Sequence, residues 1–296
     1  MEGELWPEVY RLLYDESNKR PRSKHVQFTD ARVLEIHLWA VIHDRPTCWA
    51  CCSGNWPVEQ RWRELPCDST MSERLRTPSV RLLMQALLDR LRADGQETLV
   101  RVLDSKPLTV GCYSKDIDAR WGQAAKAKAR GYKLFCAWGC KMVPDAWTLG
   151  PMNAADSDAG VKLVPQLAGA AYVLGDASHD SNPLHATCDR CGCQLVAPRK
   201  KPQTNLGHCV HEPGRLRSIQ ILEWPVLLGT AASEFGRDLY KMRGQIERDY
   251  GNLCSFGGGL QPLPSWVRRP HRVALWIAGK LLINAIRSTR NARLAA

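Results

Sequence analysis

The eight residues Tyr240-Lys241-Met242-Arg243-Gly244-Gln245-Ile246-Glu247 decide how the rest of the chain is read. At about 100° per residue of α-helix, Tyr240, Arg243 and Glu247 fall within roughly 60° of one another. One helical face then carries an aromatic ring, a guanidinium and a carboxylate. Alone, that is also the polar edge of an amphipathic helix with an ordinary i,i+4 pair. It gains meaning if other acids converge on it.

Two such acids close predicted strands. Thr98-Leu99-Val100-Arg101-Val102-Leu103 reads as a buried strand that ends at Asp104, and Ala171-Tyr172-Val173-Leu174-Gly175 as one that ends at Asp176. Lys106 to Cys112 reads as a second strand and Tyr132 to Trp138 as a third, with Val143 or Trp147-Thr148-Leu149 extending the sheet. The connection from Ser114 to Arg130 is polar and basic; Lys115, Arg120, Lys126, Lys128 and Arg130 suit backbone phosphates. Ser157 to Leu167 predicts a short amphipathic helix. Gln194-Leu195-Val196-Ala197 predicts a further strand, followed by the cations Arg199, Lys200 and Lys201. The opening octet belongs to a helix expected from about Ala231 to Tyr250, Gly257-Gly258-Gly259 marks a loop, and the chain closes with an apolar helix from Val267 or His271 to Arg290.

Before the strands, residues 1 to about 93 read as helical. Trp6, Val9, Tyr10, Leu12 and Leu13 form one apolar face; Ala31 to Ile42 forms a longer one, capped by Thr29 or Asp30. The intervening Asn18-Lys19-Arg20-Pro21-Arg22-Ser23-Lys24-His25 is either a phosphate-binding linker or a solvated loop. Asp68-Ser69-Thr70 caps a short helix, and Thr77-Pro78 starts another with Val80, Leu82, Leu83, Ala86, Leu87 and Leu91 inward. With Arg74, Arg76 and Arg81 near the joint, this pair is either a DNA-reading helix-turn-helix or a plain helical hairpin. The plan is α/β with an appended helical domain: residues 1–93 helical and DNA-binding, 94–296 holding the sheet and the chemistry.

Composition fits a soluble, folded, cytoplasmic protein: 44% hydrophobic and 24% charged residues, no signal peptide, and no apolar run long enough for a membrane. The formal charge of +11 is spread along the chain and points to a polyanionic partner or to a basic surface without one. Twelve cysteines in such a chain are buried apolar residues or metal ligands sooner than disulfides.

Asp104, Asp176 and Glu247 are the hard oxygen donors that hold Mg²⁺, which takes one or two carboxylates and leaves waters and substrate phosphates to complete its shell. Ions so held serve in-line displacement at a phosphodiester. A strand-end Asp is, equally, a common turn former.

Four segments resolve this ambiguity: Leu103-Asp104-Ser105-Lys106-Pro107-Leu108, Ala129-Arg130-Gly131-Tyr132-Lys133-Leu134, Leu174-Gly175-Asp176-Ala177-Ser178-His179-Asp180-Ser181-Asn182, and Tyr240 to Arg248. Together, from about residue 98 to 287, the chain resembles the bacterial insertion-sequence DDE transposases, in the branch whose last acid sits in a Tyr-x₂-Arg-x₃-Glu-x₆-Lys signature. Val26-Gln27-Phe28-Thr29-Asp30 and Ser69 to Leu75 resemble the N-terminal part of the same proteins. The resemblance implies a ribonuclease-H-like mixed sheet flanked by helices, with Asp104, Asp176 and Glu247 as catalytic and metal-binding acids using Mg²⁺ or, in its place, Mn²⁺. It implies cleavage at the ends of a mobile element and strand transfer into target DNA. Tyr240 and Arg243 would contact double-stranded DNA, supported by Arg248, Lys106, Lys126, Lys128, Arg130, Arg199, Lys200 and Lys201, with a homodimer assembled on the DNA. The signature's Lys is replaced by Cys254, a lost phosphate contact unless Arg248 or Lys241 supplies it. That departure keeps two alternatives in view: a DNA-binding remnant that regulates its own element, and a nuclease of the same fold that only cleaves.

A separate cluster, Cys188, Cys191 and Cys193 followed by His208, Cys209 and His211, has zinc-ligand chemistry or is a set of buried thiols. Cys48, Cys51 and Cys52, with Cys67, form a weaker version of the same pattern.

Overall fold

The computed structural model describes residues 2–21, 26–61, 64–93, 95, 97–111, 113–124, 127–206, 210–223, 232–255, 260 and 262–295. Lys126, His208 and Cys209, the second half of the basic linker (Arg22 to His25) and the triple glycine 257–259 lie outside them. Two compact units emerge, one formed by residues 96–252 and the other by 1–95 together with 253–296.

The larger unit is mixed α/β. Its strands are β1 (Val100–Thr109), β2 (Arg120–Ala124), β3 (Ala127–Trp138), β4 (Ala146–Pro151), β5 (Tyr172–Leu174) and β6 (Gln194–Val196). They form one mixed sheet in the order β2-β3-β1-β5-β6, with β4 on the same edge of β3 as β2. The pairs β1–β3 and β3–β4 are antiparallel, whereas β1–β5 and β5–β6 are parallel and need crossovers. The crossovers are α6 (Asp156–Leu163) and α7 (Asn182–Arg190), which bury Ala159, Leu163, Leu184 and Cys188 against Leu103, Phe135, Val173 and Leu195 of the sheet. Helices α8 (Pro213–Leu222), α9 (Ala232–Lys241) and α10 (Gly244–Ser255) follow.

Three expectations are corrected here. Strands foreseen as ending at Asp104 and restarting at Lys106 are one strand, because β1 pairs with β3 without a break from Val102 to Thr109. Pro107 is tolerated within it: β5 covers only Val100–Val102, so beyond that point β1 has a strand partner on one side alone among the described residues. The basic loop from Ser114 to Arg130 contains β2, which forms a hairpin with the first half of β3. The helix foreseen from Ala231 to Tyr250 is two helices, with Met242 and Arg243 in the turn between them. That turn is closed by the Arg243 and Ile246 amides on the Tyr240 and Arg243 carbonyls. Gly244, the poorest helix former after proline, stands where the second helix begins.

The other unit is helical: α1 (Glu2–Ser17), α2 (Asp30–Ile42), the short α3 (Thr47–Ala50), α4 (Asp68–Arg74), α5 (Pro78–Ala93) and α11 (Pro270–Ala295). Thr29 caps α2 as its sequence predicts, accepting the Arg32 amide at 3.2 Å. Helix α11 packs on α1, α2 and α5, so this closing segment lies with the N-terminal helices although the sequence reading left it with the sheet. The reason is its apolar stripe: Val273, Ile277, Leu281 and Ala285 are completely buried, and Gly279 lets the helix approach Val41 and Leu38, which would lie 3.1 to 3.5 Å from an added Cβ. Lys280, buried on the same helix, ion-pairs with Asp44. No helix among the described residues is long and apolar enough to cross a membrane.

Candidate active site

Strand pairing positions the two Asp residues. β1 and β5 run parallel with Val102 opposite Leu174, so Asp104 and Asp176 each stand two residues beyond the last matched couple, on neighbouring strands. Burial pushes the Asp104 carboxyl up, and the negative charge of nearby Asp176 pushes it up further. The Ser105 amide, donating to Asp104 Oδ1 at 2.9 Å, and the Arg243 guanidinium offset part of that rise.

Asp176 is pulled the other way. It caps a single 3₁₀ turn, Ala177–His179, and its Oδ1 receives the Ser178 amide at 2.9 Å, the Ser178 hydroxyl, and His179 Nδ1 at 2.8 Å. Burial opposes ionisation, but these bonds outweigh it and hold the carboxyl well below the usual carboxylate range. All of them converge on Oδ1. The imidazole that anchors this arrangement lies against the Gly175 backbone, where a Cβ would come within 2.7 Å of the His179 Cβ. Glycine at 175 is therefore a packing requirement of His179.

Two tyrosines tie the late helices to the strand ends. Tyr240, at the end of α9, donates its hydroxyl to the Gly175 carbonyl at 3.2 Å; Tyr250, in α10, donates to the Asp104 carbonyl at 2.9 Å. Each bond grips the backbone at or beside an acid. Arg243 lies between the helices, within electrostatic reach of Asp104 and Tyr240, and its buried Nε has no hydrogen-bond partner. A buried guanidinium nitrogen left so is costly in the free protein and suits an incoming anion.

Glu247 stands differently. It is exposed in the first turn of α10, where the helix dipole favours an acid. Among the described residues no three of His, Cys, Asp and Glu come together closely enough to hold a metal ion. The structure thus groups Asp104, Asp176, His179, Tyr240 and Arg243, and leaves Glu247 outside that group.

The basic residues divide as well. Arg130 gives its guanidinium to the carbonyls of Ala119, Ser114 and Asp116, and Arg199 gives its own to Glu223 and to the carbonyls of Thr204 and Pro202. Both were expected on phosphates; both instead pin loops. Lys128, Lys200, Lys201 and Arg248 are exposed and Lys106 is half-buried in β1. Lys126 lies outside the described residues.

Sequence reasoning missed two networks. Asp180 is a buried anchor: Arg215 forks onto it with Nε and Nη2 both at 2.7 Å, the Lys200 amide adds a third bond at 3.2 Å, and His185 lies 3.5 Å away. The second joins buried Arg101 and Lys141 to Asp145 and to Glu97 at one end of the sheet. The only sequence signal for either was an ionisable residue inside an apolar run, as with Arg101. In the cysteine cluster, Cys188 and Cys193 are buried as free thiols, Cys191 is exposed, and both ring nitrogens of His211 are engaged, by the Leu206 carbonyl and by Arg215. His208 and Cys209 lie outside the described residues.

Comparison with known families now bears on this geometry. A family model described as the transposase DDE domain matches residues 95–282, more than half of the chain. The chain belongs to the transposase DDE domain family. That span takes in the whole sheet, both strand-end Asp residues and helices α9 and α10. No curated protein and no solved structure matches the chain. Membership in the transposase family supports a role in transposition and a nucleic-acid substrate.

Proposed function

We propose that the chain is a divalent-metal-dependent DNA transposase of the insertion-sequence type, with a ribonuclease-H-like catalytic unit that cuts at element ends and joins the freed 3′-hydroxyl to target DNA. The observation that carries this is the register of β1 and β5, which sets Asp104 and Asp176 side by side at the end of a parallel strand pair. The sheet order, three antiparallel strands followed by two parallel ones reached through helices, supports the fold reading.

The residues present fit a hard cation. Asp176 spends its internal hydrogen bonds on Oδ1 and Asp104 has its one amide bond on Oδ1, so each keeps Oδ2 for a ligand. Asp104 and Asp176 would hold Mg²⁺ or Mn²⁺, with Glu247 the third acid that the family resemblance supplies. A bound divalent cation supplies charge stabilisation for in-line displacement at phosphorus. The protein's own groups do the rest. His179 and Ser178 fix the Asp176 carboxylate and keep it ionised, Arg243 receives a phosphate on its unpartnered nitrogen, and Tyr240 and Tyr250 lock the acids' backbone. Lys106, Lys128, Lys200, Lys201 and Arg248 lead the DNA backbone towards these acids. Because two element ends must be held together, a homodimer on double-stranded DNA is the assembly expected.

A cleavage and strand-transfer assay on DNA carrying the element's ends tests the proposal. Asp104→Ala and Asp176→Ala should each abolish product while retaining DNA binding, and chelation should do the same to the native protein. Glu247→Ala should match them. Cleaved but unjoined product from the native protein would reduce the assignment to a nuclease, and undiminished joining by either Asp variant would refute the site.

A further inference from the structure

The helical unit contains a cavity of about 410 Å³, within the size range of ligand pockets and remote in sequence from the acids. Its lining is largely apolar and aromatic: Met71, Leu275 and Trp276 are buried, and the exposed Trp266 meets Trp276 edge-to-face at 6.5 Å. One of its polar lining residues is almost fully buried. His37 is only 5% exposed, touches Thr47 Oγ1 through Nδ1 at a long 3.4 Å, and has no aligned hydrogen bond at Nε2. Burial drops the imidazole pKa to about 4, with the nearby Leu275 carbonyl opposing that fall, so the ring is neutral and offers one donor and one acceptor.

The mouth has the opposite character. Arg45, Arg76, His271 and Arg272 line it, with Asp68 the single acid among the lining residues. Burial lowers the His271 pKa, and the positive charges of Arg76, Arg272, Arg269 and Arg81 lower it further. Arg76 and Arg272 both reach Ser72 Oγ, at 3.4 and 3.0 Å, and so stand on the same lip.

A flat aromatic body, a hydrogen-bonding edge deep inside and an anionic tail at the entrance together describe a nucleotide. We infer that this cavity binds a single unpaired nucleotide, its base between the indole-lined wall and His37 and its phosphate on Arg76 and Arg272. The same chemistry comes from a free mononucleotide or from an unpaired nucleotide within a DNA strand; a paired base cannot enter. The site does not depend on the divalent cation or on the strand-end acids.

The test uses the full chain in EDTA and follows 2-aminopurine fluorescence. Three probes are compared: 2-aminopurine deoxyribonucleoside monophosphate, a hairpin with 2-aminopurine unpaired, and the same hairpin with it paired. Binding of the unpaired base should change its emission, and Arg76→Ala/Arg272→Ala should weaken that binding at least roughly tenfold, the scale of losing stacking and phosphate contacts to one nucleotide. Ser72→Trp, which fills the mouth without touching the core, should abolish the signal while thermal melting and paired-duplex binding persist. Saturation by the monophosphate would identify a free-nucleotide site; response of the unpaired hairpin alone would identify a strand-borne base. Unchanged emission with both probes, or full response in the Ser72→Trp protein, overturns the inference. So does equal weakening of paired and unpaired hairpins by the arginine double variant, since those arginines would then serve a duplex backbone. Cleavage by the strand-end acids stands or falls separately, because no arm of this experiment requires it.

Discussion

At the residue scale, burial raises the Asp104 carboxyl while hydrogen bonds from His179 and Ser178 lower that of Asp176, and Gly175 makes room for the His179 side chain. Gly175→Ala should drive a Cβ into His179, release Oδ1 of Asp176 and cut strand cleavage by about tenfold or more while DNA binding persists; a single-turnover cleavage assay beside a binding titration checks it. Asp180 carries the larger stability term. It is buried and forked by Arg215, so Arg215→Ala leaves an uncompensated carboxylate and should cost roughly 3 kcal/mol in urea unfolding at pH 7. The sign of the pH dependence follows. Burial opposes the Asp180 charge, but His185, Arg215 and the Lys200 amide hold its folded pKa far below the unfolded value of about 4. The stabilisation is therefore full above pH 4 and is lost as pH falls towards the folded pKa, so the gap between native and Arg215→Ala proteins should be flat above pH 5 and shrink below pH 4. None of this was legible in the sequence. Asp104 and Asp176 were, because an acid closing an apolar strand run is a local signal; whether Arg130 or Arg199 meets a phosphate or a loop carbonyl depends on where distant backbone arrives.

At the element scale, periodicity found most of the strands and helices but misjudged their continuity. β1 reads as two strands, one ending at Asp104 and one beginning at Lys106, because a polar pair after an apolar run mimics a turn, and only its pairing with β3 reveals one strand. The helix holding Tyr240, Arg243 and Glu247 was extended through Gly244 because a helical face can be drawn across any break. Its division has a packing consequence upstream. Gly236 of α9 lies so close to α8 that a Cβ would come within 2.0 Å of the Ile221 carbonyl, while Tyr240 sits one turn further on. Gly236→Ala should force the two helices apart, cost on the order of 1–3 kcal/mol, and loosen the Tyr240 bond to Gly175. Thermal unfolding gives the first effect, and a cleavage defect greater than that of Tyr240→Phe gives the second.

At the scale of the whole molecule, the formal charge of +11 predicts DNA affinity that falls steeply with salt. A plot of log affinity against log salt should be linear with a slope near −0.9 for each phosphate neutralised, and Lys200→Ala/Lys201→Ala should make it shallower by about one to two such contacts; anisotropy titrations across salt concentrations measure both. The boundary drawn at residue 93 is close to where the first unit pauses, but the return of residues 253–296 to it is not legible in the chain, since an apolar helix does not announce which surface it will cover. That return imposes an order on biogenesis. The sheet and its acids are encoded in one uninterrupted run, so they are free to form on the ribosome as soon as Asn252 has emerged. The helical unit, however, lacks α11 until residues 270–295 have been read, and during that interval the surfaces of α1, α2 and α5 awaiting α11 are bare. A stop codon near residue 252 should thus yield a chain with a folded sheet and a sticky, chaperone-dependent remainder, so residues 1–95, made first, mature last.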